Sequence, residues 1–97
     1  MISVKIHVGS QDRILAACDR EVLGNTYASD GLKLKVSETF YHAEYVSEET
    51  FIERTKSASV INLVGERVIS LAITEGLVLP SNILIIDGVK YAQVVRS

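Results

Sequence analysis

A two-residue turn near the C-terminus constrains the fold of this sequence more than any other feature. Asp87-Gly88 separates two runs that are rich in β-branched residues, Ile83 to Ile86 and Val89 to Val95. Asp-Gly is favoured in type I′ turns, because both central residues need a positive φ and the twist of this turn matches that of paired strands. The pattern predicts a C-terminal β-hairpin, so the chain must fold around a sheet.

The N-terminus predicts a second hairpin. Residues 2–8 alternate apolar and polar side chains, which is typical of a strand with one buried face. After a short turn, residues 13–18 return as the second strand, and the register places Ser3 opposite Cys18. This hairpin supplies the first two strands of the sheet.

A third strand is predicted over residues 32–36, after a polar loop over residues 24–31. Its aliphatic side chains alternate with Lys33 and Lys35. Because successive side chains of a strand point to opposite faces, the aliphatic residues face the core and the two lysines face outward.

Two helices are predicted between this strand and the C-terminal hairpin. Ser47 can cap the first helix through its hydroxyl group. The second helix is expected from Val60 to about Glu75, because apolar residues recur along it at helical spacing, and Gly76 ends it. Gly65 then falls inside a helix, where glycine costs about 1 kcal/mol relative to alanine and needs a packing or binding role.

Together these elements predict a single α+β domain over residues 1–97. Its sheet is small, antiparallel or mixed, and has about five strands, including two β-hairpins. Both helices pack on one face of this sheet. A chain of 97 residues has room for one hydrophobic core.

Composition excludes several classes of protein. With 47% hydrophobic residues the chain can bury enough apolar surface to fold, which excludes intrinsic disorder. The net charge of −2 excludes a globally basic nucleic-acid binder, so binding of that kind needs a local patch. A single cysteine allows no internal disulfide, and the sequence has no recognisable signal peptide or membrane-spanning segment. We therefore expect a cytoplasmic protein.

Cys18 is the obvious candidate nucleophile, with His7 as its base and Asp19 behind it. The predicted register separates Cys18 from His7 by roughly 13 Å along the strands, which is too far for a catalytic pair. A small half-buried thiol is therefore the favoured interpretation. The histidines and the cysteine lack metal-ligand spacing, and no glycine-rich phosphate motif occurs, so we expect no metal and no other cofactor.

The distribution of charge is more informative than any motif. Lys5, His7, Lys33 and Lys35 fall on the outward side of predicted strands, so they are expected to form one basic face of the sheet. Such a face, with interleaved aromatic rings, is suited to RNA or to an acidic partner. The alternative is that the lysines only keep an exposed sheet face soluble.

Several short segments, taken together and in order, carry a resemblance to a known family. They are Ala17-Cys18-Asp19, Leu23-Gly24, Leu32 to Ser37, Phe40-Tyr41, Asn62 to Glu66, Gly76-Leu77-Val78 and Ala92 to Val95. Through these segments the chain resembles the archaeal family called domain of unknown function 424. The resemblance covers nearly the whole sequence.

This resemblance implies a cytosolic archaeal protein with no assigned activity, which is associated with translation through its genomic neighbours. It assigns no catalytic residue. It does group seven residues into one candidate polar surface, namely Cys18, Asp19, Phe40, Tyr41, Asn62, Gly65 and Glu66.

We therefore expect a non-enzymatic binding protein of the translation apparatus. Its basic face would contact the ribosome through ribosomal RNA, or would contact a translation factor. The alternative is a small enzyme or ligand-binding protein with a polar site around Cys18, Asp19, Asn62 and Glu66. A third possibility is a homodimer that forms through the aliphatic strand Ile83 to Ile86.

Overall fold

A computed structural model describes residues 1–96 of the chain, and these residues form eight strands and three α-helices. The strands are β1 (Ile2–Val8), β2 (Arg13–Asp19), β3 (Thr26–Ser29), β4 (Leu32–Lys35), β5 (Glu44–Val46), β6 (Val60–Val64), β7 (Leu84–Ile86) and β8 (Val89–Val95). The helices are α1 (Glu38–Tyr41), α2 (Glu48–Thr55) and α3 (Glu66–Thr74), and single 3-10 turns lie at Arg20–Val22 and Pro80–Asn82. Six strands form one sheet in the order β5-β1-β2-β6-β8-β7, whereas β3 and β4 form a separate two-stranded ribbon.

Both predicted hairpins are confirmed. β1 pairs with β2 in the expected register, with Ser3 opposite Cys18. At the C-terminus β7 pairs with β8, and Asp87 and Gly88 have φ values of 50° and 79°, as a type I′ turn requires.

The prediction of one helix from Val60 to Glu75 is wrong in its first third. Residues 60–64 form β6, which runs parallel to β2 and antiparallel to β8 in the middle of the sheet. β6 carries apolar residues on both of its faces, so it lacks the alternation that marks a half-exposed strand. The apolar residues of β6 and α3 together mimicked a helical period. Gly65 therefore lies at the junction before α3 and not inside a helix.

The third predicted strand also differs from expectation. It is β4, but it pairs with β3, which formed part of the expected loop, and not with a strand of the main sheet. A type I′ turn at Asp30 and Gly31, with φ values of 51° and 80°, joins the two strands. The ribbon is polar on its outer side, which is why its first strand resembled a loop.

The main sheet is covered on its first face and on part of its second face. Helices α2 and α3 pack on the first face, through side chains such as Phe51 and Ile69 against Leu15 and Leu63. The ribbon and α1 cover part of the second face through a smaller cluster that includes Leu34. The α+β class is confirmed, with two helices on one face as predicted and more strands than the five expected.

Local signals set the ends of the longer helices. The Ser47 hydroxyl accepts a hydrogen bond from the Thr50 backbone N–H at 3.2 Å, which caps α2. After α3, Gly76 adopts a φ of 73° and turns the chain out of the helix. Within residues 1–96, none of the helices combines the length and hydrophobicity that crossing a bilayer demands.

Candidate functional site

A cavity of about 470 Å³ opens at the carboxyl ends of the parallel strands β2 and β6, beside the start of α3. Ligands of sheets that contain parallel strands commonly bind outside these carboxyl ends. The lining is mainly charged and consists of Asp19, Glu21, Glu48, Glu66, Arg67, Ser70 and Leu71. A smaller recess of about 260 Å³ shares three of these residues.

Asp19 forms one wall of this cavity and caps α3. Its carboxylate accepts hydrogen bonds from the backbone N–H groups of Arg67 (2.8 Å) and Val68 (3.0 Å), and the residue is 4% exposed. Gly65 makes room for this carboxylate, since a Cβ atom at Gly65 would lie 2.5 Å from Asp19 Cγ. The protein's own carboxylate therefore occupies the positive end of α3, where an anionic ligand would otherwise bind.

The remaining charges make the cavity unfavourable for an anion. Burial raises the pKa of the Asp19 carboxyl above its ordinary value, and the two backbone hydrogen bonds oppose this rise. Arg67 is engaged in an ion pair with Glu48. Glu21 and Glu66 complete a lining in which carboxylates outnumber cations. Phosphate and carboxylate ligands are therefore poorly matched to this cavity.

Cys18 lies on the opposite face of the sheet from Asp19, because adjacent residues of a strand point to opposite sides. Its thiol is fully buried, and burial raises its pKa to about 12, with the charge of Asp19 adding to the rise. A thiol that stays protonated at neutral pH is a poor nucleophile. The register also separates the proposed pair, since His7 lies opposite Ile14 and Cys18 opposite Ser3.

The seven residues of the candidate polar surface do not meet at one site. Only Asp19 and Glu66 line the cavity. Cys18 and Tyr41 belong to the cluster on the second face, and Asn62 lies on that same face of β6, two residues before the residue that pairs with Cys18. The polar site expected around Cys18, Asp19, Asn62 and Glu66 is therefore not assembled, because the sheet divides these side chains between its two faces. Within residues 1–96, no three His, Cys, Asp or Glu side chains are arranged to hold a metal ion.

A buried polar contact between β1 and the segment after α1 was missed by the sequence analysis. Ser3 Oγ donates to the Tyr41 carbonyl at 2.9 Å and accepts from His42 Nδ1 at 2.7 Å. The His42 ring packs against Tyr45, and the Arg20 guanidinium lies 4.9 Å from the centre of the Tyr45 ring. Ser3 is completely buried, so this contact anchors the chain and does not face a substrate.

Asn62 pairs with Gln93 across β6 and β8. Gln93 Nε2 donates to Asn62 Oδ1 at 3.1 Å, and the two residues lie directly opposite each other. Gln93 is exposed, whereas Asn62 is nearly buried. Asn62 was predicted to lie on a helix, and a helix at this position would not pair with the strand that carries Gln93.

The prediction of one basic sheet face is wrong, because its four residues do not share a sheet. Lys5 and His7 lie on the second face of β1, whereas Lys33 and Lys35 belong to the ribbon. Leu34 points from the ribbon toward the main sheet, so the two flanking lysines are exposed on the outer side of the ribbon.

Phe40 stacks on His7 at the margin of the second face. The ring centres are 4.4 Å apart and the planes differ by 21°. His7 Nε2 donates to the Phe40 carbonyl at 2.8 Å, which fixes the orientation of the imidazole. The structure thus provides an aromatic surface beside Lys5, on the same strand.

The strand that was expected to mediate self-association is β7, and it lies at one edge of the six-stranded sheet. Leu84 and Ile85 are 50% and 64% exposed. An uncharged aliphatic edge strand is suited to pairing with another strand. Self-association stays a prediction.

Comparison with known proteins identifies the family of this chain. A search of curated proteins finds no match. Among solved structures, the chain is similar to one described as "Crystal structure of an uncharacterized conserved protein from Methanopyrus kandleri". The similarity covers 99% of this chain and 93% of the other, with 24% sequence identity and a TM-score of 0.78, which shows that the fold is shared. Residues 6–97 match the family described as Protein of unknown function (DUF424), and the chain belongs to this family.

Proposed function

We propose that this protein is a non-enzymatic RNA-binding protein of the translation apparatus. The surface that we assign to RNA is the ribbon side, defined as the ribbon, α1 and the second face of the main sheet. The opposite helix side consists of α2, α3 and the first face. The ribosomal source of the RNA follows the association with translation that the family resemblance implies.

The observation that carries this proposal is the uneven pairing of charges. The ion pairs found among residues 1–96 all lie on the helix side, and they are Arg54–Glu44, Lys56–Glu53, Arg67–Glu48 and Lys90–Glu66. In the same part of the chain, Lys5, Lys33 and Lys35 form no ion pair. Cations without carboxylate partners are available for phosphate groups, whereas paired cations must first lose their partners.

The ribbon side is not strongly basic overall. Asp30 lies at the tip of the ribbon, and Glu38 begins α1. The proposed interaction therefore depends on a few lysine–phosphate contacts and not on a large positive field. We expect modest affinity and a shallow dependence on salt concentration.

The polar groups of the interior support a binding role over catalysis. Within residues 1–96, every buried side-chain nitrogen or oxygen atom has a hydrogen-bond partner. The buried thiol of Cys18 and the buried hydroxyl of Ser3 are both shielded from solvent. Of the residues of the enzyme alternative, only Asp19 and Glu66 line the cavity, and the Asp19 carboxylate is occupied in capping α3, so no nucleophile and base are brought together there.

The proposal can be tested by sedimentation with purified ribosomal subunits at low and high salt. We expect the protein to travel with a subunit at low salt and to be released at high salt. The double variant Lys33→Glu, Lys35→Glu should fail to travel with the subunit at low salt, while its thermal unfolding is unchanged, since both positions are exposed.

The matched control is Lys56→Glu, Lys90→Glu, which changes the net charge equally but on the helix side. This variant should still sediment with the subunit. The proposal is overturned if the unmodified protein stays among free proteins at low salt, or if both double variants bind equally well.

A further inference from the structure

Part of the second face of the main sheet is left open. The ribbon and α1 cover the carboxyl-terminal halves of β2 and β6, through a cluster that includes Cys18 and Val64. Ile14, Val60 and Val95 lie at the other end of the same face and belong to neither core cluster, and Val95 is 71% exposed. We call this uncovered area, with Asn62 and Gln93, the open strip.

Two rows of side chains cross the open strip from strand to strand. One row contains His7, Ile14, Val60 and Val95, in successive register positions on β1, β2, β6 and β8. The neighbouring row contains Lys5, Ala16, Asn62 and Gln93, in the same strand order. The strip therefore combines a mostly apolar row, in which Phe40 stacks on His7, with a row that carries one cation and two amides.

Ala16 separates the cation from the amides. It lies between Lys5 and Asn62 in the row, is completely buried and belongs to the covered cluster, so this row is accessible only at Lys5 and at the amide pair. Two strand spacings place the Lys5 and Asn62 backbones about 10 Å apart. Lys5 Nζ donates one hydrogen bond to the Thr39 carbonyl at 2.8 Å, which leaves two of its three protons free.

The amide pair retains unused hydrogen-bonding groups although Asn62 is only 8% exposed. Gln93 Nε2 donates to Asn62 Oδ1. The side-chain NH₂ group of Asn62 and the side-chain oxygen Oε1 of Gln93 therefore have no protein partner within residues 1–96. The pair thus presents donors beside an acceptor on an open face. Exchanging the two amide orientations would leave the same combination.

We infer that the open strip binds an unpaired nucleobase of RNA, which the amide pair recognises through the base edge. This inference rests on the proposed RNA-binding function and names the part of the RNA that is recognised. The Watson–Crick edge of every base carries a donor next to an acceptor, and in a duplex the partner base occupies that edge. The apolar row provides a surface for the plane of the base, and Lys5, in the same row as the amides, can contact a phosphate.

A protein partner fits the open strip less well. Extended peptides bind to sheets at a free edge, whereas β6 is paired on both sides. An apolar helix laid on the strip would cover the amide pair and leave its donors and acceptor without partners, which is unfavourable.

The test compares single-stranded and double-stranded RNA in a direct binding assay. The probe is a short mixed-sequence RNA strand, used alone or annealed to its complement. Gln93→Leu should weaken binding of the single strand about fivefold, because about one hydrogen bond to the base is lost and another is weakened. Binding of the duplex should not change. The matched control is Gln11→Leu, which makes the same substitution in the exposed turn between β1 and β2 and should affect neither probe.

The outcomes separate this inference from the proposed function. If Gln93→Leu and Gln11→Leu bind the single strand as well as the unmodified protein does, the inference is wrong. The proposed function still stands in that case, provided that the double variant Lys33→Glu, Lys35→Glu binds both RNA probes more weakly than the unmodified protein does. If the unmodified protein binds neither probe at low salt, the proposed function fails and the inference fails with it.

Discussion

The carboxylate of Asp19 occupies the space that a side chain on Gly65 would need, since a Cβ atom at Gly65 would lie 2.6 Å from Asp19 Oδ2. The same oxygen accepts a hydrogen bond from the Arg67 backbone at 2.8 Å. The end of β2 therefore caps α3, which follows β6. This contact connects β2, β6 and α3 at one point. It explains why an aspartate ends β2 and why a glycine lies between β6 and α3.

Replacing Gly65 should test this relationship most directly. Gly65 has φ 119° and ψ 159°, a region that is essentially restricted to glycine. We expect Gly65→Ala to lower the free energy of unfolding by about 3 kcal/mol, through backbone strain and displacement of a buried carboxylate.

Gly76→Ala is the matched control, because Gly76 also has a positive φ but a Cβ atom there would meet nothing within 4 Å. It should cost about 1 kcal/mol, as measured by denaturant unfolding. Equal losses for the two variants would contradict the proposed contact.

The pKa of Asp19 predicts a dependence of stability on pH. Burial raises this pKa above the ordinary value of 3.8, so the folded protein binds the proton more tightly than the unfolded chain. The contribution of this group is fully present below the unfolded pKa and is lost as pH rises through the folded pKa. Asp19→Asn removes this titration, and it should also lower stability by about 1 to 2 kcal/mol because one oxygen acceptor is lost from the cap.

This pH dependence can be measured by denaturant unfolding of both proteins from about pH 3.5 to pH 7. The difference in stability between the unmodified protein and Asp19→Asn should be largest at the acid end and should narrow with rising pH. A difference that widens with rising pH would mean that the hydrogen bonds from the Arg67 and Val68 backbone, and not burial, dominate the pKa of this carboxyl.

Cys18 is expected to be chemically inert in the folded protein. Its pKa of about 12 and its complete burial predict that iodoacetamide will not modify it at pH 8 over a period in which a free thiol reacts fully. The control is the same reaction in concentrated denaturant, where modification should go to completion. Rapid modification of the native protein would show that the ribbon opens and exposes the second face.

The salt dependence of RNA binding should reflect the number of lysine–phosphate contacts. For a single strand, three contacts through Lys5, Lys33 and Lys35 predict a slope of about −2 in a plot of log affinity against log salt concentration. Lys33→Glu, Lys35→Glu should reduce the slope to about −0.7, since only Lys5 remains. Lys56→Glu, Lys90→Glu should retain the original slope. If the second double variant reduces the slope instead, the RNA lies on the helix side.

Local turn chemistry made the two outer hairpins predictable. Asp87-Gly88 joins two runs that are rich in β-branched residues, and both the turn and the strands were predicted correctly. The same dipeptide at Asp30-Gly31 forms the same turn, with nearly identical φ values. It was overlooked because the strand before it, Thr26–Ser29, is short and polar. The sequence therefore contained the turn dipeptide, but it lacked an apolar strand pattern on the N-terminal side of the turn.

Long-range pairing explains what the sequence analysis missed in the middle of the chain. Nothing local distinguishes the apolar run at residues 60–64 from a helix, because a strand with apolar residues on both faces shows no period of two. The parallel pairing of β2 with β6 brings Asp19 to Gly65, although the two residues are far apart in the sequence. Both residues were named as candidates, yet their joint role in capping α3 depends on this pairing. The partnership of Asn62 with Gln93 depends on the strand assignment of β6 in the same way.

The exposed edge strand β7 predicts weak self-association. Ile85 is 64% exposed at the centre of a three-residue strand that carries no charge. Antiparallel pairing of this edge with its copy would join two sheets about a twofold axis. We expect the unmodified protein to form dimers at high concentration in analytical ultracentrifugation, and Ile85→Lys to remain monomeric, because a charge on an edge strand opposes pairing. Leu79→Lys is the control, since Leu79 is also 64% exposed but lies outside the strand. A monomer at every concentration, or equal dimerisation of both variants, would show that this edge does not pair.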